Sequence, residues 1–142
     1  MARRGFAAAA CALAISMAVA CRGNDAVRDP GNELPFGAID VPVNGAQVKA
    51  QAPIAGWALD DRGIAEIRIY VDAHLVSTGQ PSVDRPDVSK QFPQYARGSN
   101  RHGWILGLAF DAPGPHAVLV QAVDTDGATR DIAALTVTAV EK

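Results

Sequence analysis

The sequence predicts an all-β domain folded as a sandwich, and three observations predict it. The stretch 56–72, GWALDDRGIAEIRIYVD, breaks at a turn signal, Asp60-Asp61-Arg62-Gly63, and then alternates. Ile67, Ile69 and Val71 fall on one face while Glu66, Arg68, Tyr70 and Asp72 fall on the other, the period of two of a half-buried strand. The turn has a twin: Ala58-Leu59-Asp60-Asp61-Arg62-Gly63 and Ala122-Val123-Asp124-Thr125-Asp126-Gly127 share the pattern Ala-apolar-Asp-x-x-Gly, each closing an apolar run. Finally, turn signals such as Asn44-Gly45 and Gly114-Pro115 divide the last hundred or so residues into short segments, with no long helical period among them.

The N-terminus precedes all of this. Arg3 and Arg4 form a positive n-region, and residues 6–20 are uncharged and Ala-rich. Such a stretch is short for a membrane span of about 20 residues and suits a signal-peptide h-region, so residues 1–20 are expected to be removed. The h-region ends Ala18-Val19-Ala20-Cys21, which resembles the lipobox of bacterial lipoproteins, with Ala18 standing where that family usually has Leu. The resemblance implies a diacylglyceryl group on Cys21, which becomes the new N-terminus. The alternative is an ordinary secreted chain cut after the Ala-x-Ala site. Arg3-Arg4-Gly5-Phe6 is similar to a twin-arginine export signal, although paired arginines also occur in ordinary Sec signals.

Charge and cysteine content narrow the function classes. The 142 residues carry 13 Lys+Arg against 15 Asp+Glu, and loss of Arg3 and Arg4 leaves a net charge of −4. No basic stripe of the kind a phosphate backbone requires is present, so nucleic acid is not an expected partner. Cys11 leaves with the signal and Cys21 is the acylation site, so the folded domain has no thiol for a disulfide, a nucleophile or a metal. The 49% apolar content is enough for one core.

Residues 21–35 read as the lipidated Cys and a flexible linker, rich in Gly, Asn, Asp and Pro, able to hold the domain roughly 20 Å from a membrane. The domain is expected over 36–142. Strands are expected at 37–42, 46–50, 53–59, 64–72, 74–79, 103–111, 116–123 and 129–139. That number of short strands fits a β-sandwich of immunoglobulin-like size, with a jelly roll or small barrel as the other solution. One segment needs separate treatment. The strand at 53–59 is apolar on both faces, Ile54, Gly56 and Ala58 against Ala55, Trp57 and Leu59, and a doubly apolar strand needs a second cover. The connection 79–102 is too long for a plain loop. Within it Pro86 suits a helix's first turn, Val88 and Phe92 follow at i and i+4, and Pro93 stops the turn. One short helical insertion is therefore expected to lie over the outer face against Trp57 or Leu59. The alternative places Trp57 in the inter-sheet core.

These residues also carry a likeness. Gly37-Ala38-Ile39-Asp40 with Pro42, Gly45 and Val48, then Gly56-Trp57-Ala58-Leu59-Asp60, Tyr70-Val71-Asp72, Arg85-Pro86-Asp87-Val88, Phe92-Pro93, and Gly114-x-His116 with Ala122-Val123-Asp124, resemble a bacterial Ig-like domain. The resemblance spans about 36–140 and implies an immunoglobulin-like β-sandwich. It implies no catalytic site, since such modules share none, and the module is expected to stand alone without an enzyme domain beside it.

Candidate chemistry is sparse. Ser77, Ser82, Ser89 and Ser99 with His74, His102 and His116 lack any Gly-x-Ser-x-Gly elbow, and the histidines lack close ligand spacing for zinc. His116, just after a turn, is expected to bond local backbone rather than act as a base. In an immunoglobulin-like sandwich the two Asp-x-x-Gly turns fall at one end, gathering Asp60, Asp61, Asp124 and Asp126. Oxygen ligands so placed suit calcium, but Asp in a turn ordinarily bonds its own backbone, and Arg62 and Arg130 stand near enough to neutralise the group. Tyr70, on the polar face of its strand, and Tyr95, in the long connection, together with Arg85 and Asp87, are the candidate partner-binding residues. The expectation is a non-catalytic envelope lipoprotein, membrane-anchored and facing periplasm or exterior. Its Ig-like module contacts a protein or glycan partner without a cofactor. The alternatives are an unrecognised envelope enzyme and a calcium-dependent adhesion module.

Overall fold

The computed structural model of the chain describes residues 31–141. The expected signal peptide, Cys21 and most of the expected linker lie outside the described residues. Two sheets face each other. One holds β1 (Phe36–Val41), β3 (Gln51–Leu59), β7 (Arg101–Ala109) and β6 (Val83–Asp84), in the order β1-β3-β7-β6. The other holds β2 (Gln47–Lys49), β9 (Thr129–Val140), β8 (Gly114–Asp124), β4 (Ile64–Val71) and β5 (His74–Gly79), in the order β2-β9-β8-β4-β5. The short β2 runs parallel to β9, while the other pairings are antiparallel. This is an immunoglobulin-like β-sandwich, as the strand pattern predicts. All eight expected strands are present; β6, two residues long, has no alternation to betray it.

The core follows from the alternation. Ile67, Ile69 and Val71 from β4, Val118, Val120 and Ala122 from β8, and Ile54 and Ala58 from β3 are buried between the sheets. The inter-sheet tryptophan is Trp104 of β7, 1% exposed. Its ring lies over Gly56, where a Cβ would stand 2.7 Å from a ring carbon. Glycine is therefore required in the middle of β3 for close approach, in spite of its entropic cost in a strand.

The opposite face of β3 has the cover that its sequence demands. Trp57 lies beneath α1 (Pro86–Gln91) and α2 (Pro93–Ala96), two short helices meeting at Phe92. Phe92 is 5.5 Å from Trp57 between ring centroids, Phe36 is 5.3 Å from Phe92, and Tyr95 is 4.9 Å from Phe36. The two Phe36 pairs are edge-on and the Trp57–Phe92 pair is tilted at 35°, and aromatic pairs add about 0.5–1.5 kcal/mol each beyond the area they bury. Val88 of α1 is buried as well. The one expected helix is thus two. Pro93 ends α1, lacking an N–H to continue it, and then opens α2 because its fixed φ suits a first helical position. Arg85, just ahead of α1, donates to Asp87 through Nε and Nη2 at 2.9 and 2.8 Å and to Asp40 of β1 at 2.6 Å, fastening the cover to the sheet. The cover ends there. One row on, Val41, Ala55 and Ile105 stand in register across β1, β3 and β7, with Val41 50% and Ile105 59% exposed.

Candidate functional site

β3 ends at Leu59 and β8 at Asp124, and β4 pairs Ile64 with Asp124, so both Asp-x-x-Gly turns leave the sandwich at the same pole. They touch. The Thr125 N–H donates to the Gly63 carbonyl at 3.1 Å, and Thr125 Oγ1 donates to the Arg62 carbonyl at 3.0 Å. Each leading aspartate also bonds its own turn. Asp60 Oδ2 accepts from the Arg62 N–H at 2.8 Å; Asp124 Oδ1 accepts from the Asp126 and Ala128 N–H groups at 2.9 and 2.8 Å. This is the reason for aspartate at these positions. Gly63 and Gly127 supply the positive φ, 103° and 87°, that the turns need. Arg62 bridges the pole, with Nη1 2.6 Å from Asp126 and Nε 3.9 Å from Asp61.

The segment ahead of β1 completes the pole. Asn32 is 6% exposed and donates through Nδ2 to Asp124 Oδ2 at 2.7 Å, while Tyr95 donates its hydroxyl to Glu33 at 2.6 Å. The bond to Glu33 and the loss of hydration raise the Tyr95 pKa. Packing among the described residues therefore reaches back at least to Asn32, four residues before the first strand. Asp60 Oδ1 and Asp61 Oδ1 are buried and accept from no group among the described residues. Burial pushes the Asp60 carboxyl up from 3.8 to about 6, the Arg62 N–H opposes the shift, and Asp124 and Asp61 add to it.

Between this pole and the end of the long connection lies a cleft of about 330 Å³. Tyr95, Arg97, Arg101 and His102 line it together with Asp60, Ile64, Gln80 and Pro81. Arg97 has a left-handed backbone, φ 52°, and donates through Nη1 to the Asp61 carbonyl at 2.6 Å. Among the described residues the Arg101 guanidinium has no hydrogen-bond or carboxylate partner, whereas Arg68 pairs with Glu66 at 2.8 Å and Arg85 with Asp40 and Asp87.

Of the four candidate partner-binding residues, Tyr95 alone lines this cleft. Tyr70 lies on the outer face of its sheet toward the far end of β4, in register with Leu119 and Leu75. Arg85 and Asp87 bond each other in the helical cover, and their pairing holds the Asp87 carboxyl below its ordinary value. The structure does not bring the four together. The cleft residues absent from the sequence reading, Arg97 and Arg101, follow Tyr95 in a polar run with no periodicity, and their Arg-x-x-x-Arg spacing is the one signal that marks them. Asn32 has no signal, since it sits in a run that reads as linker.

The histidines resolve into structural roles. His116 bonds Asp72 Oδ2 through Nδ1 at 2.6 Å and the Ala112 carbonyl through Nε2 at 2.7 Å. The Asp72 contact raises the His116 pKa and lowers that of Asp72. His102 Nε2 lies 2.9 Å from Ser89 Oγ, which donates to the Ser99 carbonyl at 3.2 Å. The serine proton is thereby directed away from the imidazole, and no carboxylate among the described residues orients His102, so the pair lacks the geometry of an activated nucleophile. Among the described residues no group of three His, Cys, Asp or Glu is placed to hold a metal ion. Both oxygens of Asp124 are taken by protein donors, and Asp126 is paired with Arg62.

No protein-family model matches the chain, and no curated protein matches it. Solved structures do. The fibronectin(III)-like modules of CbhA from Clostridium thermocellum superpose with a TM-score of 0.52 at 15% identity, over 76% of this chain and 47% of that one. This chain thus spans about half the length of that structure. The endo-β-1,4-mannanase from Thermotoga petrophila gives a TM-score of 0.49 at 10% identity over 83% of this chain and 21% of that one. CopC from Methylosinus trichosporium OB3b gives 0.40 at 16% identity over 75% and 94%. At such identities the likeness to the CbhA modules establishes a shared β-sandwich fold.

Proposed function

We propose that this chain is a non-catalytic envelope lipoprotein, held at a membrane through Cys21, whose immunoglobulin-like domain receives a protein or glycan partner at its loop pole. The observation that carries this reading is the cleft beside Tyr95, which is built on rigid strand ends and lined by arginines that bond no carboxylate. The Ala-Val-Ala-Cys end of the h-region supports the anchor. The likeness to fibronectin(III)-like modules is compatible with a binding module.

Site-specific photo-crosslinking in intact envelopes tests the reading. A crosslinker in place of Tyr95 should capture a discrete partner, and one in place of Ile105 on the open sheet face should not. Equal capture from both positions, or none from either, would sink it. Cys21→Ala should release the protein from the membrane fraction, and retention there without an acyl mass on the N-terminal peptide would remove the anchor. Ester hydrolysis by the purified protein, abolished by Ser89→Ala, would also count against the non-catalytic reading.

A further inference from the structure

We infer that the cleft at the loop pole takes a carboxylated sugar unit, a hexuronate within a glycan, with its carboxylate on Arg101. The inference rests on the binding reading above and names the ligand class for that site.

Charge is the first argument. The domain is acidic overall, and three of the six arginines among the described residues are paired with carboxylates at short range: Arg62 with Asp126, Arg68 with Glu66, Arg85 with Asp40 and Asp87. Arg97, Arg101 and Arg130 have no carboxylate partner among the described residues, and of these Arg97 and Arg101 line the cleft. Arg97 gives one nitrogen to the Asp61 carbonyl, which fixes its stem and leaves the remainder of its fork. Arg101 has its whole fork free among the described residues. A planar guanidinium free of partners beside a cleft matches a carboxylate through two parallel hydrogen bonds.

Shape and wall chemistry supply the second argument. At about 330 Å³ the cleft is at the lower end of the range for small-molecule sites, about 300–1,000 Å³. It suits one ring better than a folded epitope. Pro81, Ile64 and the Tyr95 ring form an apolar wall for the C–H face of a sugar, and Gln80 both donates and accepts for its hydroxyls. Inorganic phosphate or acetate would engage the arginines and leave that wall unused. A neutral hexose would use the wall and leave Arg101 without an anion.

The experiment is an NMR titration of the mature chain with D-glucuronate, against D-glucose and acetate as controls, read at the arginine Nε–H signals and the Tyr95 ring. Saturable shifts of Arg101 and Tyr95 are expected, with a dissociation constant on the order of millimolar for a single ring. Arg101→Gln should weaken glucuronate at least about tenfold, and Arg101→Lys, which keeps the charge but not the fork, should give an intermediate loss. Arg130→Gln, outside the cleft, should bind as the parent does. The inference is overturned by absence of saturable shifts, by acetate or glucose binding as tightly as glucuronate, or by glucuronate affinity unchanged in folded Arg101→Gln. If crosslinking at Tyr95 still captures a partner, the ligand class falls and the binding reading stands; if it captures none, both fall.

Discussion

The two Asp-x-x-Gly turns are the same sequence device in two different environments. Asp124 has both carboxylate oxygens engaged: two N–H groups of its own turn on one, the Asn32 amide on the other. Asp60 has a single turn N–H on one oxygen and, among the described residues, no donor on the other, and its neighbours are two further carboxyl groups. Both side chains are almost fully buried. The first is therefore a satisfied charge that organises the pole, and the second is a carboxyl that burial drives toward its neutral form. What separates them is the arrival of Asn32 at one turn and of Asp61 at the other. A buried carboxylate stabilises only when donors surround it.

The largest expected effect is at Asp124. Asp124→Ala leaves two turn N–H groups and the Asn32 amide without their acceptor, and should cost about 3–4 kcal/mol, read as a lowered denaturant midpoint. A loss below about 1 kcal/mol would mean that the two turns are equivalent after all. Asp60→Asn should go the other way. The folded-state value of about 6 stands above the ordinary 3.8, so the folded chain holds this proton more tightly than the unfolded one. Stability from this group is thus full below about pH 4, is lost as pH rises through about 6, and stays lost above. At pH 7.5 Asp60→Asn should therefore raise stability, by about 1–3 kcal/mol, and flatten the pH profile between 4 and 6. His116 titrates in a different window. Its raised value gives stability that is present below its ordinary 6.5 and is lost as pH climbs through the raised one, so a His116→Asn background isolates the Asp60 limb.

Asn32→Ala sharpens the contrast by making Asp124 resemble Asp60. Loss of one donor should cost about 1–2 kcal/mol, read as a lowered denaturant midpoint. A cost below about 0.5 kcal/mol would show that Asn32 is not what distinguishes the turns. The smallest effect is expected from calcium. Thermal midpoints in chelator and in millimolar calcium should agree within about two degrees, since a ligand that binds only the native state would raise the midpoint by mass action. A rise of many degrees would make the unpartnered oxygens of Asn32, Asp60 and Asp61 cation ligands.

Much of the fold was open to reading because it depends on local pattern. Alternation put Ile67, Ile69 and Val71 inside and Tyr70 outside, and β4 shows that arrangement. The doubly apolar 53–59 segment demanded a cover, and Pro86 with Val88 and Phe92 named the piece that provides it. The candidate site was far less open. Tyr95 was marked as a lone ring in a long connection, but its neighbours Arg101, Gln80 and Ile64 come from three separate stretches of chain. Arg85 and Asp87 read as candidate partner contacts, and in the structure they bond each other while Asp40 of β1 takes a further nitrogen of Arg85.

The chain by itself determined the sandwich, the positions of its strands and the shared pole of its two turns, because period, turn chemistry and burial on one face are properties of consecutive residues. Tertiary structure alone decided which aspartate is satisfied, which arginines remain free of carboxylates, and that Trp104, not Trp57, fills the inter-sheet core. Those outcomes depend on which side chains from distant segments arrive within hydrogen-bond or van der Waals reach. A one-dimensional pattern gives each residue's capacity to bond, and only the folded chain brings it a partner.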